Sequence, residues 1–379
     1  MSTLGNILVY AGIMIVLIVL HEFGHLIVAK RSGMRVERFS VFMGRPLWSF
    51  RRGETEYGVG WLPIGGYVKI TGMTRDELVK REYDPETGAV ISEIPEPPEI
   101  QARAYCNATT PRKIATIVAG PLANVIIALI AFSISFWVGL PLPVEGEITP
   151  TVGGVVTGGP LEQAGIKAGD KIISINGITP AANDAKPLLP QIENNVGTPV
   201  TVIVERDGAQ LAPKSVTPVP DATDPTIGRL RFGFEQRVET YHRGFFGGIA
   251  ESASFTWYAT KAQIKALGKL FTDSETRKQV QSVVGIGATY DAFAHLGFGT
   301  IMRFVGIISL VLAIMNLIPM MPLDGGHIVF ALFERIRGKR LNAAVYQRAS
   351  LVGIALVAVL FFYALNNDIG RLTGEGFRP

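Results

Sequence analysis

The chain has 379 residues, 48% of them hydrophobic and only 18% charged, with a mean hydropathy of +0.30. That balance points to a polytopic membrane protein carrying some soluble mass. The modest net charge of +4, with no nucleic-acid motif, excludes nucleic acid as a partner; the single cysteine, Cys106, excludes an internal disulfide framework and a cysteine zinc cluster.

The first apolar run, 7–28, has no basic residue ahead of it and no clear small-residue cleavage site, so it reads as a retained helix and not a signal peptide. Its only acidic, basic or imidazole side chains are those of His21, Glu22 and His25, in the string His-Glu-x-x-His. On a helix His21 and His25 share a face, with Glu22 beside them. Two neutral imidazoles for a metal and a carboxylate to handle a water proton are the parts of a hydrolytic zinc site. Three unpartnered polar groups in lipid are costly, and a metal supplies the partner. A third ligand is then expected in another membrane segment.

Residues 38–73 alternate or are rich in β-formers, glycine and proline, which predicts hairpins close to the membrane surface. By itself this stretch reads as an ordinary β-loop. Residues 75–110, charged and proline-containing, predict a mobile loop. A second membrane helix is expected over 114–140.

From 146 to 236 the composition turns soluble and β-rich. The string from Ala164-Gly165 through Gly169-Asp170 and Ile172 to Ile175-Asn176-Gly177 resembles the signature of PDZ domains, which capture peptides on a sheet edge. The resemblance implies a groove lined by Gly153, Gly154 and Val155, occupied by a peptide ligand or by a substrate terminus trimmed by an upstream protease. A domain that only excludes bulky proteins fits the same string. Residues 237–300 follow as an amphipathic linker, aromatic and basic over 248–271, with an apolar re-entrant turn expected over 283–299.

The last two membrane helices are expected over 301–319 and 350–365. Between them Pro319, Pro322 and Gly325-Gly326 break the chain, and Asp324 is the acidic residue the break presents. Asp324 is the natural third ligand, leaving a fourth position open. Asn316 offers an amide to the substrate backbone or to an oxyanion. His327 reads as a cytoplasmic residue. Arg and Lys cluster at 30–45, at 103–113 and at 335–348, whereas Glu145 and Glu147 follow the second helix. This bias puts both termini and the 146–236 domain outside the cell and the metal site towards the cytoplasm.

His-Glu-x-x-His in a first membrane helix, with Asn-x-x-Pro-x-x-x-Leu-Asp-Gly (316–325) in a later one, resembles the site-2 protease family of intramembrane zinc metalloproteases. The strings over 62–69 and 119–124, and the PDZ insert, resemble its bacterial RseP branch. The resemblance implies a protease core in two halves, 1–145 and 301–379, around one zinc ion on His21, His25 and Asp324. It makes Glu22 the general base and gives Asn316 a substrate or oxyanion role. It turns the 62–70 region into a membrane-associated β element beside the site, with Gly58, Gly65, Gly66 and Tyr67 as residues that receive a substrate strand. It also implies an inner-membrane location, lipid around four helices, and single-pass membrane proteins as substrates, anti-sigma factors and remnant signal peptides among them. The alternatives are an inactive PDZ-bearing membrane scaffold, against which the intact Glu22 stands, and a metal transporter, which would show repeated halves.

Overall fold

The structure, a computed structural model, describes residues 3–83, 90–181, 183–221, 224–270 and 272–372. The chain divides into two compact units, Met1–Gly139 with His242–Pro379, and Leu140–Tyr241.

Helix α1 (Thr3–Arg31) leads into the long strands β1 (Val36–Arg52) and β2 (Thr55–Ile70). Both strands bend, and left-handed backbone at Phe42, Gly44 and Gly65 accompanies the bends. Each therefore supplies two limbs to one antiparallel sheet. Ser40 pairs with Gly58 on one side and Tyr67 on the other, while 46–52 pair with 55–60. The order across the sheet is 46–52, 55–60, 36–43, 66–70. The last limb is paired on one side only, which makes it an edge.

The 75–110 stretch is more structured than its composition predicts. It holds a hairpin of β3 (Val79–Tyr83) and β4 (Val90–Pro95) and a short helix α2 (Pro98–Ala102). Its main chain is tied back to the strands by Arg35 N–H to Arg103 O at 3.0 Å and Tyr105 N–H to Thr71 O at 2.9 Å. Ala104, Tyr105 and Cys106 are buried. Burial of these few side chains outweighs the polar composition around them. Residues 84–89 of this stretch lie outside the described residues.

Helix α3 (Thr110–Val138) completes the first half of this unit. The second unit follows, with β5 (Leu140–Val155), the single-turn helix α4 (Pro160–Gln163), β6 (Lys171–Ile175), α5 (Leu189–Glu193), β7 (Val200–Arg206), β8 (Ala209–Gln210), β9 (Lys214–Val216), β10 (Val219–Pro220), β11 (Gly228–Arg229) and β12 (Phe232–Tyr241). The main sheet runs β12-β5-β6-β7-β8, with β9 on β7. Asn176 and Gly177 both have left-handed φ, 49° and 79°, and Ile178 N–H bonds Ile175 O at 2.9 Å, as a tight turn after a strand requires. Leu161, Ile172, Ile175, Leu188, Val202 and Val204 form the centre of its core.

The chain re-enters the first unit through α6 (Phe245–Lys269), α7 (Ser274–Lys278), α8 (Val283–Ala294), α9 (Phe298–Asn316), α10 (Asp324–Arg337) and α11 (Ala343–Leu372). Gly248, Ser252, Thr256 and Ala259, small residues at helical spacing, are buried. Ser252 meets Ser133 of α3 at 2.9 Å, and Phe255 sits on Phe132 and Phe136. In place of the expected turn over 283–299 stands α8. Its start is capped by Ser282 and by Asp368 of α11, which accepts from Ser282 N–H at 2.8 Å and Gly285 N–H at 2.9 Å. Among the described residues four helices are long and apolar enough to cross a membrane: Gly5–Arg31, Thr110–Val138, Phe298–Asn316 and Ala343–Gly370. The last is longer than 350–365. Half of the apolar window of α3 is buried against 11% for α11, so α3 is the helix around which the others assemble.

In the second unit Asp170 is buried and binds Arg206 through Nε at 2.6 Å and Nη2 at 2.7 Å, and it also accepts from Lys167 N–H. The Arg206 hydrogen bonds hold its carboxyl below the usual carboxylate range. A lowered folded value means a stabilisation that is complete above the unfolded value of about 3.9 and is lost as pH falls through the folded one. Asp170→Asn should destabilise this unit by about 2–3 kcal/mol at neutral pH. Hydrogen exchange of the 171–206 amides in the intact protein should show that loss at pH 7, shrinking towards zero as the pH is lowered below the carboxylate range.

Candidate metal centre

The site begins with the close approach of α1 to α3. A Cβ built at Gly24 would strike the carbonyl of Ala119, so the helices are as near as a missing side chain allows. This brings His21 and His25, both 7% exposed, against the Thr116–Asn124 face of α3. On that face the Thr116 carbonyl accepts from His25 Nδ1 at 2.8 Å. With its proton on Nδ1, His25 presents a bare Nε2. Asn124, fully buried in α3, lies 3.1 Å from His21 Nδ1. The Asn124 atom at that distance is Nδ2, and Asn124 Oδ1 is buried without a partner. A neutral His21 whose Nε2 is free needs an acceptor at Nδ1, which the Asn124 amide supplies when turned over to present its oxygen.

The third group comes from the break after α9. Leu317 to Leu323 turn the chain, and α10 begins at Asp324. Asp324 Oδ2 lies 3.2 Å from His21 Nε2 and 3.4 Å from His25 Nε2, and the two Nε2 atoms are 3.3 Å apart. Asp324 Oδ2 is buried without a hydrogen-bond partner. Three electron-pair donors in a near-equilateral triangle repel one another unless a cation lies between them. A tetrahedral zinc with bonds of about 2.0–2.2 Å sets its ligand atoms about 3.4 Å apart, so the triangle fits that ion. Gly120 leaves the room: a Cβ there would fall among the two Nε2 atoms.

The family model "Peptidase family M50" matches residues 9–360. The chain belongs to that family. It is similar to the zinc metalloprotease RasP of Geobacillus kaustophilus, 29% identical with 98% of this chain and 99% of the relative covered. It is also similar to the regulator of sigma-E protease RseP of Salmonella typhimurium, 28% identical with 98% and 100% covered. The latter alignment runs over 476 residues, so that relative carries stretches absent from these 379. This M50 chain is thus a zinc metalloprotease with four membrane-capable helices and a separate β-sheet unit, and the His21, His25 and Asp324 cluster suits its metal.

The other expected site residues divide. Glu22 is half-buried next to the cluster, and the backbone of Val68 hydrogen-bonds its carboxylate. Gly66 lies against it: a Cβ at Gly66 would stand 3.3 Å from Glu22 Cγ and 3.5 Å from Ile18. Gly66 and Tyr67 therefore belong to the edge limb of β2 that passes the carboxylate, and Gly65 stands at the bend before it. Gly58 does not. It pairs with both Ser40 and Ser49, so neither of its sides is free to receive a strand. In the second unit Gly154 and Val155 pair with Gly233 and Phe232, so the outer edge there is β12 and not the 153–155 segment. Asn316 ends α9, half-buried, and among the described residues no hydrogen bond joins its amide to the cluster. His327 is in the first turns of α10, next to Tyr346, and not exposed.

Thr116 and Asn124 were not singled out in the sequence. The signal was there for Asn124, an amide in the middle of an apolar helix. Asn124→Leu should weaken zinc binding about 10–100-fold by leaving His21 unoriented. Gly120→Ala should abolish binding by filling the space between the imidazoles. Zinc content of detergent-purified protein, and competition with a chelator, measure both.

Proposed function

We propose that this M50 zinc metalloprotease hydrolyses peptide bonds inside the transmembrane segments of single-pass membrane proteins, with zinc on His21, His25 and Asp324 and Glu22 as general base. The observation that carries the reading is the position of the cluster. Two of its ligands and Glu22 are on α1, within a span apolar enough to cross a bilayer, and an edge strand runs beside them.

Zinc supplies Lewis acidity, which acidifies water and polarises a carbonyl. Glu22 takes the water proton and returns it to the leaving nitrogen. The Val68 hydrogen bond and the close contact with Gly66 keep the Glu22 side chain at the cluster. A helical substrate has its carbonyls bonded internally, so it must unwind before it is cut. The 66–70 limb, with one unpaired side, offers the unwound segment main-chain partners by strand addition. Asn316 offers its amide to the substrate backbone or to the oxyanion.

The Arg and Lys clusters flanking the helices, against Glu145 and Glu147, support an inner-membrane orientation with both termini and the Leu140–Tyr241 unit outside and the site towards the cytoplasm. We read that unit as a single PDZ domain. Its free edge, β12, is where a peptide or a trimmed substrate terminus would add as a strand, and its bulk at the membrane admits shortened substrates in preference to intact ectodomains.

Glu22→Gln should lower cleavage of a co-expressed, tagged single-pass substrate about 10²–10⁴-fold while zinc is retained. Asp324→Ala should lose both. Cleavage by Glu22→Gln at the wild-type rate would remove the general-base role. Val68→Pro, which takes an N–H from the edge limb and from Glu22 together, should cut cleavage without lowering zinc content; unchanged cleavage would rule out strand addition at that position.

A further inference from the structure

The sequence counts Lys113 among the charges that flank a membrane helix, yet its side chain is only 9% exposed. Its Nζ lies 3.4 Å from Glu334 Oε2 of α10, itself 12% exposed, and 5.5 Å from the centre of the Tyr105 ring. Glu334 also accepts from Leu341 N–H at 3.0 Å and from the Tyr346 hydroxyl. This is a buried ion pair between two helices. Both helices end their functional faces at the metal centre.

On α3, Lys113, Thr116, Gly120 and Asn124 recur at helical spacing and share a face. Thr116 holds His25, and Asn124 meets His21. On α10, Asp324, Ile328, Ala331 and Glu334 share the inner face, whereas Val329, Leu332, Phe333 and Ile336 are exposed. Helix α10 thus has one buried stripe, with Asp324 at one end and Glu334 about 15 Å along the axis at the other. Ala331 is 4% exposed and Ile328 is partly buried on the core. The only charged contact of this stripe with α3 among the described residues is Lys113–Glu334. Nonpolar contacts tolerate rotation and sliding of a helix, whereas a buried ion pair has one good register.

We infer that the Lys113–Glu334 pair sets the register of α10 against α3 and so the position of Asp324 relative to the two imidazoles. Lys113 and Glu334 are positioning residues for the metal centre. This inference rests on the reading that His21, His25 and Asp324 hold the zinc.

The test uses full-length protein purified in detergent. Zinc retention against a chelator and the visible spectrum of the cobalt-substituted protein are measured for wild type, Asp324→Ala, Lys113→Met, Glu334→Gln and the double variant Lys113→Met/Glu334→Gln. Thermal melting is recorded beside them. Each single neutralisation strands one buried charge and should speed zinc loss about tenfold and change the cobalt spectrum, an effect of the size seen for groups that support metal ligands. The double variant strands none and should recover part of that loss. Glu334→Asp keeps the charge but draws it back, and should speed zinc loss with little change in melting; it serves if the neutral variants fail to accumulate. Wild-type retention and spectrum in the Lys113 and Glu334 variants, with Asp324→Ala altered, would overturn the inference. A wild-type spectrum in Asp324→Ala would instead overturn the metal-site reading beneath it. Melting that falls in step with zinc loss in every variant, Glu334→Asp included, would reduce the pair to a general stabiliser and also overturn it.

Discussion

Two imidazoles and two carboxylates converge where the chain is otherwise apolar, and the rest of the first unit is arranged to make that tolerable. Left alone, such groups would cost several kcal/mol in a medium without water. Three of them find a partner through different devices: His25 is turned by the Thr116 carbonyl, His21 by a buried amide, and Glu22 by the backbone of an edge strand, whereas Asp324 Oδ2 has no hydrogen-bond partner in the protein. The remaining requirement, a positive charge inside the triangle, is what a zinc metalloprotease brings.

Helix α3 links these devices. It contributes no metal ligand, yet it carries the groups that orient both histidines and the glycine that leaves space between them. It also receives Ser309 of α9, whose hydroxyl donates to Asn124 O at 2.8 Å, and it packs against α6. The small residues along α1 and α3 permit this closeness, because helices in lipid associate through shape and polar contacts more than through the hydrophobic effect. The bent strands add something a helix bundle lacks. The 66–70 limb keeps an unpaired backbone side next to Glu22.

Much of this was legible before any coordinates, for stated reasons. His21, Glu22 and His25 stand out because nothing else in their run carries acid–base chemistry, and Asp324 because prolines and glycines expose it. The Asn176-Gly177 turn is a local event, set by two residues. What escaped depends on distant contacts. Composition made 75–110 a mobile loop because hydrogen bonds to residues 35 and 71 leave no mark on local sequence. Gly58 read as a candidate edge because a bend in β1 folds a further limb over it, and bends of that kind follow from three residues of unusual φ. The 153–155 segment read as a groove edge because its partner, β12, lies nearly eighty residues on. Lys113 read as a surface charge because its partner is on another helix.

The most direct test of the account is anomalous scattering at the zinc edge from crystals of the purified protein. The account expects one peak per chain, within about 2.2 Å of His21 Nε2, His25 Nε2 and Asp324 Oδ2. Zinc bound elsewhere on the chain, or a peak touching only one of the three, would contradict it.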